Sequence, residues 1–540
     1  MRNLVFIVVC LLSAWCVNAS DIATKSLTYY RDAARANLPR LRAELRRGLT
    51  PNQAKIEQSI IYTVSMKGEL NAHAFMREDG RRQIEIDAGL VQFADWFEIN
   101  LAVGTATRPN QACSTRYLMF LIDGINNSRF VPQIEGWPAP VSGNPIDFLR
   151  SHPDTCPAPE SLPTTHPGFE KNEFVDILIK YTLGHELAHH LLGHVLKESE
   201  PKAESREDEI QADRFALRLL AKSGGPAQVI PATGILVLLA GADDYTMDGE
   251  SFSDHPAGVR RIKMFVSAWR EVLNDPEIRM GLQRNGQLQN TLAAAARAER
   301  QIDALLKSHE HEAWFVSMVQ YRGQAPPQAV LHLSDIPSEH LAAFLHRGYS
   351  ILSVAESAGT WRVVLDKGAF GEQRFTISNE FPAEFVKQRW KEGFEITTLA
   401  SDGVEWVLVM SKNSRLTSQR WKISSSFPTD YVRDALSRGE FVTGLGKVGK
   451  TYGVVTSRTP EFTSQSYTCS TTGLPQDFVK AKRAEGYFLT TALPLEGQGW
   501  CVVLSKTSRY SDQQNWITGT SINAETKDWY NKKFRVLTIY

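Results

Sequence analysis

The segment Gly184–His194 contains the pattern His-Glu-x-x-His, which constrains the chain more than any other feature of its sequence. His185 and His189 are four residues apart, so a helix would place both imidazoles on one face. Glu186 follows the first histidine and could reach a water molecule bound to a metal between the rings. Zinc in a hydrolase is usually held by three protein ligands and one water. The segment therefore requires a third ligand from another part of the chain.

A second segment predicted to be helical, Glu207–Lys222, supplies candidates for that ligand. Glu209 and Asp213 are four residues apart and share one face of this helix. If the two helices pack together, Glu209 could bind the metal and Asp213 could accept the second N–H of a ligating histidine. The alternative is a solvated acidic face, but apolar residues surround the pair. His190 and His194 are then expected on the helix surface and not among the ligands.

Length and charge limit the classes of function. With 540 residues the chain exceeds what one core holds, and about two to four domains are expected. Sixty basic residues balance sixty acidic ones, so the composition gives no sign of electrostatic capture of nucleic acid. We therefore expect no nucleic-acid partner.

The N-terminus has the pattern of a secretory signal. Arg2 precedes an apolar run from Leu4 to Trp15, and the small residues before Ser20 have the spacing that a signal peptidase recognises. We interpret residues 1–19 as a cleaved signal, with a retained N-terminal anchor as the alternative. No later segment is predicted to cross a membrane. The protein is thus expected to be exported, either to the periplasm or out of the cell.

Export affects the interpretation of the cysteines. Four remain after the signal, and an even number in an oxidising compartment favours disulfides. Three connectivities are possible, and their clustering along the sequence favours Cys113–Cys156 and Cys469–Cys501.

Hydrophobic periodicity predicts a mainly helical first domain. Residues 22–66 are predicted to be helical, with Pro51 in the first turn of a second helix. Leu70–Phe75 and Gln83–Asp87 alternate around a turn and predict a β-hairpin. Another helix is expected from Gly89.

The rest of this domain is organised around the His-Glu-x-x-His segment. Residues 107–167 form an irregular insertion, which is either a lid or a tethered surface loop. Residues 172–197 are predicted to form the helix that carries the two histidines. A further helix is expected through Ile262 and Trp269, followed by a helical connector over residues 276–312.

A repeat occupies the C-terminal part of the chain. Each copy begins with an apolar residue followed by proline, and a glycine eleven residues later marks the end of a short helix. Two strand-like runs and the start of a third follow in each copy. The four prolines, spaced 45, 46 and 47 residues apart, are Pro337, Pro382, Pro428 and Pro475.

The ends of the repeat region resemble two halves of one further copy. Trp314–Met318 resembles the second half of a unit and Trp529–Tyr540 the first half. We therefore expect five helix-plus-three-strand units in a propeller-like ring, with an open solenoid as the alternative. The aromatic residues repeated at one position are expected in the core, although the repeats could also present a surface that recruits a substrate or partner. These residues are Trp361, Trp406, Tyr452 and Trp500.

Four pieces of the sequence together resemble the gluzincin metallopeptidases of the CAAX prenyl protease and HtpX type. The resemblance covers about residues 55–265. The pieces are His185-Glu186-x-x-His189; Glu209-x-Gln211-Ala212-Asp213-x-Phe215-Ala216; Asp254-His255-Pro256 with Arg261-Ile262; and Asn71-Ala72-His73-Ala74-Phe75 with Ile84-Glu85-Ile86 and Gly89-Leu90.

The resemblance implies roles for several residues. Glu209 would be the third zinc ligand, and Asp213 would contact a ligating histidine on the side away from the metal. His255 and Arg261 would lie at or near the metal and act on the substrate carbonyl. In some soluble members the histidine equivalent to His255 reaches the metal and blocks it. The chain departs from the membrane-embedded members because no transmembrane helices are predicted, which points to exported members that act on other proteins.

These features predict an α+β protein: a mostly helical zinc metallopeptidase domain over residues 20–275 and a β-rich repeat domain over residues 313–540. One Zn²⁺ per chain would be held by His185, His189 and Glu209. Glu186 would be the general base, and the strand at Asn71, Ala72, His73 and Ala74 would bind extended substrate by β-addition. The rival interpretations are a catalytically idle zinc scaffold whose repeats bind partners, and a zinc amidase that acts on cell-wall peptide.

Overall fold

The computed structural model describes residues 26–106 apart from 69 and 70, then 173–196, 202–224, 258–284 and most of 314–539. Residues 113–158 and 286–300 are described in part. The predicted signal, residues 1–19, lies outside these ranges. The described elements fall into two compact units, one before Glu310 and one after His311.

The first unit is mainly helical, as predicted. Its described helices are α1 (Leu27–Arg46), α2 (Pro51–Ser59), α3 (Ala88–Ala106), α4 (Pro145–Ser151), α5 (Glu173–Leu191), α6 (Lys202–Gly224), α7 (Gly258–Asn274) and α8 (Pro276–Arg284). Its strands are β1 (Ile61–Ser65), β2 (Ala72–Met76) and β3 (Arg82–Asp87).

Local sequence explains where α1 and α2 begin. The Ser26 hydroxyl accepts a hydrogen bond from the Tyr29 N–H at the start of α1. Thr50 and Gln53 form a reciprocal capping box around Pro51, which occupies the first turn of α2 as predicted.

The small sheet has the strand order β1-β3-β2. β2 and β3 form the predicted antiparallel hairpin, and Gly80 adopts a positive φ of 75° in its turn. The prediction of helix over residues 22–66 is wrong for its last part, because Ile61–Ser65 forms a strand parallel to β3. The β-branched and aromatic residues of this segment fit a pleated sheet better than a helix.

The helices that carry the candidate metal ligands differ slightly from the prediction. α5 ends at Leu191, earlier than predicted, and Gly193 with a φ of 82° reverses the chain before a short 3₁₀ turn at His194–Leu196. α6 begins at Lys202, before the predicted start at Glu207, and ends at Gly224.

The predicted pairs Cys113–Cys156 and Cys469–Cys501 are both present. Among the helices described, none combines the length and apolar character that a membrane span needs.

The second unit alternates short helices with strands. Its described helices are α9 (Glu339–His346), α10 (Ala383–Lys391), α11 (Thr429–Ser437) and α12 (Gln476–Ala484). Its strands are β4 (Trp314–Tyr321), β5 (Gln328–Leu333), β6 (Tyr349–Ser357), β7 (Thr360–Lys367), β8 (Gln373–Ser378), β9 (Glu395–Ser401), β10 (Trp406–Ser411), β11 (Thr417–Ser424), β12 (Phe441–Val448), β13 (Thr451–Arg458), β14 (Ser464–Ser470), β15 (Phe488–Pro494), β16 (Trp500–Lys506), β17 (Tyr510–Gly519) and β18 (Arg535–Ile539).

These strands form five three-stranded antiparallel sheets arranged as a closed ring. The sheet orders are β5-β7-β6, β8-β10-β9, β11-β13-β12, β14-β16-β15 and β17-β4-β18. The last strand of each order contacts its counterparts in both neighbouring sheets, so these five strands surround the centre. In the fifth sheet β4 pairs with both β17 and β18, with Met318 opposite Val536. The two ends of the repeat region therefore complete one sheet, and the ring is confirmed over the open solenoid.

The sheets are offset from the sequence repeat by one strand. The third strand of each sequence unit pairs in the next sheet: β11 follows β10 in the chain but pairs with β13. A glutamine repeated at one position joins neighbouring sheets by hydrogen bonds across this offset. The Gln419 side chain of β11 accepts from the Ile396 N–H of β9 at 2.7 Å and donates to the Ile396 carbonyl at 2.8 Å.

The same two hydrogen bonds recur at every junction of the ring, which makes the glutamine a structural signature of the repeat. They join Gln373 to Ile351, Gln465 to Val442, Gln514 to Leu489 and Gln328 to Val536. The last pair links the beginning of the repeat region to its end. Of the repeated aromatic residues, Trp361 and Trp406 are buried in the core as predicted, while Tyr452 and Trp500 are partly buried against it.

One junction departs from the pattern. In four sheets the glutamine also donates to a buried serine hydroxyl of the middle strand, but Gln328 donates to the carboxylate of Asp366 at 2.7 Å. Burial raises the pKa of Asp366 to about 6, against the opposing effects of Gln328 and Arg509. The serines are Ser317, Ser411, Ser457 and Ser505.

Replacing Asp366 by serine should therefore stabilise the ring at neutral pH. The folded chain holds this proton more tightly than the unfolded chain, so the parent loses stability as pH rises from about 4 to 6. Asp366→Ser should raise the stability at pH 7.5 by at most about 3 kcal/mol, and this advantage should shrink at pH 4. Thermal unfolding at the two pH values measures it, with the exposed Asp477→Ser as control. A variant less stable than the parent at pH 7.5 would contradict this account.

Candidate metal centre

The histidines of the predicted site are positioned by the apolar face of α5. Val175, Leu178, Leu183 and Leu187 are buried in the core of the first unit. One turn separates His185 from His189, and their ring centroids lie 4.9 Å apart. Their side chains are 11% and 13% exposed, so the pair is largely shielded from water but remains accessible.

Small residues allow α6 to approach α5 closely. A Cβ atom at Gly184 would lie 3.3 Å from the Ala216 Cα and 3.5 Å from its Cβ. Ala212 and Ala216 are buried on the facing side of α6. This close contact brings the polar side chains next to Gly184 within reach of the acidic residues of α6.

Three donor atoms converge where the helices meet. The His185 Nε2 lies 3.1 Å from the His189 Nε2 and 3.3 Å from the Glu209 Oε2, and the His189 Nε2 lies 3.4 Å from the Glu209 Oε1. These three residues could hold a metal ion. Ligands about 2.0–2.2 Å from a tetrahedral zinc are separated by distances of this size. The donor set of two imidazoles and one carboxylate, all aimed at one point, fits zinc.

Asp213 fixes the orientation of His185 from behind. The His185 Nδ1 lies 2.9 Å from the Asp213 Oδ1, and the Tyr181 hydroxyl donates to the same oxygen. Asp213 is fully buried. With Nδ1–H donating to the carboxylate, the lone pair of Nε2 points toward the metal position.

His189 has a longer support of the same kind, which the sequence did not predict. Its Nδ1 lies 3.1 Å from the His194 Nδ1, and the His194 Nε2 lies 3.3 Å from the Asp208 Oδ1. The chain of donors has one consistent direction: His189 Nδ1–H donates to His194, and His194 Nε2–H donates to Asp208. Each histidine is thus anchored to a carboxylate of α6, one directly and one through a second imidazole.

The expectation that His190 and His194 lie on the helix surface is wrong. His190 is 3% exposed, and its Nε2 lies 2.9 Å from the Gln83 carbonyl oxygen of β3. The His194 side chain is 6% exposed because the turn after Gly193 folds it back against α5. Neither belongs to the metal-binding group of described residues. The spacing of Tyr181, one helical turn before His185, is the signal that would have predicted its contact with Asp213.

The charges of the site favour a bound cation. Burial lowers the pKa of His185, but Asp213 and Glu209 outweigh burial and raise it well above its usual value. Burial and His185 together lower the pKa of His189 to about 4. Without an ion, a proton on His185 offsets part of the charge of the three acidic residues of α6; a divalent ion bound at the two Nε2 atoms would take the place of that proton.

Of the other predicted site residues, those that the structure describes lie on α5, on α7 and at β2. Glu186 is 8% exposed and follows His185 on α5. Arg261 belongs to α7, and His255 lies outside the described residues. Ala72, His73 and Ala74 lie in β2, and Asn71 precedes it with its side chain accepting from the Ala72 N–H at 2.9 Å. The α5 helix packs on both β2 and β3.

Comparison with known families bears on this site. Residues 146–275 match the family Peptidase U49, and this range contains all three metal-binding candidates and Glu186. The match supports a peptidase. Residues 310–419 and 333–467 each match a domain of unknown function, DUF7477. Neither a curated protein nor a solved structure matches the chain.

Removing the carboxylate of Glu209 tests the ligand set. Glu209→Gln should weaken zinc binding by about a hundredfold or more, since even changes behind a ligand cost about ten- to a hundredfold. Competition with a chromogenic chelator measures the affinity. Glu207→Gln, the same change two residues earlier on an exposed position of α6, is the matched control and should bind like the parent. Equal zinc affinity of both variants would rule out Glu209 as a ligand.

The support behind His189 can be tested in the same assay. His194→Ala should weaken zinc binding by about ten- to a hundredfold, and Asp208→Asn should have a smaller effect in the same direction. The melting temperature of the metal-free chain separates two roles of His194. If His194 only stabilises the fold, its replacement lowers this melting temperature together with the zinc affinity. If His194 positions His189, the affinity falls while the melting temperature changes little. Unchanged affinity in His194→Ala would show that the contact does not position the ligand.

Proposed function

We propose that this protein is a zinc-dependent metalloendopeptidase that hydrolyses peptide bonds of proteins in the periplasm or outside the cell. The observation that carries the proposal is the convergence of His185, His189 and Glu209 beside Glu186, in a segment that matches a peptidase family. The resemblance to gluzincins of the CAAX prenyl protease and HtpX type gives the same ligand set. Export is supported by the signal-like N-terminus and by the two disulfides.

The residues divide the chemistry among them. A bound zinc would polarise the scissile carbonyl and lower the pKa of a water toward about 7. Glu186 accepts the proton of the attacking water and returns it to the leaving amine. His255 or Arg261 stabilises the negative charge that develops on the carbonyl oxygen. Asp213 and His194 keep the two imidazoles in the tautomers that metal binding requires.

The β2 strand is the proposed substrate-binding edge. Within the described residues it pairs with β3 on one side, and its other edge has no strand neighbour. An extended peptide could add to that edge through backbone hydrogen bonds from Asn71 to Ala74, which tolerates many substrate side chains. Because α5 packs on β2, such a peptide would lie close to the helix that carries Glu186.

Glu186→Gln tests the mechanism because it removes the base but keeps the size of the side chain. We expect kcat on a casein-type substrate to fall by about 10²- to 10⁴-fold while one zinc per chain remains bound. Glu207→Gln serves again as the matched control. Activity that survives in Glu186→Gln would refute the mechanism. Bound zinc without proteolysis in the parent would favour a scaffold, and cleavage of cell-wall peptide alone would favour an amidase.

A further inference from the structure

The ring of the second unit encloses a cavity of about 1380 Å³. This volume exceeds the roughly 300–1,000 Å³ of pockets that bind small molecules. The five connections that lead from one sheet to the next all contribute to its wall, at residues 321, 322 and 324–327, and at 367–371, 413–416, 459–462 and 507–510. We call the end of the cavity that these five connections surround the ring mouth.

Below the mouth the wall carries hydroxyl groups as well as apolar side chains. Each of the five strands that surround the centre of the ring has a register shift at one position, and in three of them the extra residue is a threonine. The hydroxyls of these threonines bond to the serines of the middle strands at 2.7–2.8 Å. The threonines are Thr397, Thr443 and Thr490. A wall built in this way offers hydroxyl groups to a ligand at little cost in ordering.

The ring mouth carries an excess of positive charge. Its described lining includes Arg322, Lys367, Arg415 and Arg509, against a single acidic residue, Glu461. Across the whole chain acidic and basic residues are equal in number, so the excess at this opening is local. Electrostatic potential is focused where charges of one sign line a concave surface.

The fold constrains the side chain of one of these cations and the backbone of another. The Arg509 guanidinium lies over the Tyr321 ring at 5.2 Å and 3.3 Å from Glu461. Arg415 is exposed in a loop where both it and Asn413 adopt left-handed backbone, with φ values of 59° and 58°. Such a conformation costs an arginine about 1 kcal/mol or more and persists only where the surrounding structure imposes it.

We propose that the ring mouth binds an acidic segment of a protein chain. Carboxylate side chains would pair with Arg322, Lys367 and Arg415, and the backbone of the segment would exchange hydrogen bonds with Asn413, Gln324 and the hydroxyls below. The volume favours a chain segment over a single small anion. The site does not depend on the metal centre. If the protein is a peptidase, the mouth would raise the local concentration of acidic substrates.

Binding can be measured on the full chain carrying Glu186→Gln, so that cleavage does not interfere. The probes are a fluorescent Glu-rich decapeptide, the same length of alternating Ala and Gln, a Lys-rich decapeptide and oligogalacturonate. Only the Glu-rich peptide should bind, and its affinity should fall as salt rises, since the Debye length is about 10 Å at 0.1 M.

Charge-removing variants locate the binding. Arg322→Gln and Arg415→Gln should each weaken the Glu-rich peptide about two- to fivefold, and the double variant about tenfold. The exposed Lys480→Gln on α12 is the control and should leave binding unchanged. Tighter binding of oligogalacturonate would replace the proposal by one for acidic polysaccharide. Absence of peptide binding, or equal loss in Lys480→Gln, would overturn it, whatever the outcome of the proteolysis assay.

Discussion

The close contact between α5 and α6 at Gly184 and Ala216 is the constraint on which the metal centre depends. Polar side chains next to a helix contact meet only if the backbones come close, and a glycine opposite an alanine allows this. The contact places His185 within hydrogen-bond distance of Asp213 and within 3.3 Å of Glu209. A larger residue at 184 would separate the histidines from every carboxylate that orients or complements them.

The same contact concentrates negative charge in a shielded place. Asp208 and Asp213 are buried, and Glu209 between them is 16% exposed. Burying carboxylates without partners is strongly unfavourable. The two anchored histidines satisfy two of these carboxylates, and the third faces the point at which both Nε2 atoms are aimed. The chain therefore has a site whose charge is balanced best when a divalent cation occupies it.

Much of this arrangement could be predicted from the sequence, because helical spacing converts directly into shared faces. The pairs His185–His189 and Glu209–Asp213 each lie four residues apart, and the fold adds only that the two faces meet. The closed ring was likewise predictable, since two half-repeats at the ends of a repeat region can complete each other. Both disulfides followed from clustering.

What could not be predicted depends on tertiary contacts that have no sequence period. Ile61–Ser65 is too short for an alternation to outweigh the helical pattern around it, and its strand is formed by pairing with β3 some twenty residues later. The support of His189 by His194 requires the chain to reverse at Gly193, so helical geometry alone puts His194 in the wrong place. The offset between repeat and sheet lies in the third strand of each copy, which pairs in the next sheet while its glutamine bonds to the first strand of its own copy.

X-ray absorption at the zinc edge of the purified full chain tests the central claim most directly. The account predicts one zinc per chain with two imidazole nitrogens and further oxygen neighbours at about 2.0–2.2 Å, and no sulfur. The imidazole signal should disappear when His185 and His189 are both replaced by alanine. A chain that takes up no zinc, or whose zinc keeps the same neighbours in that double variant, would contradict it.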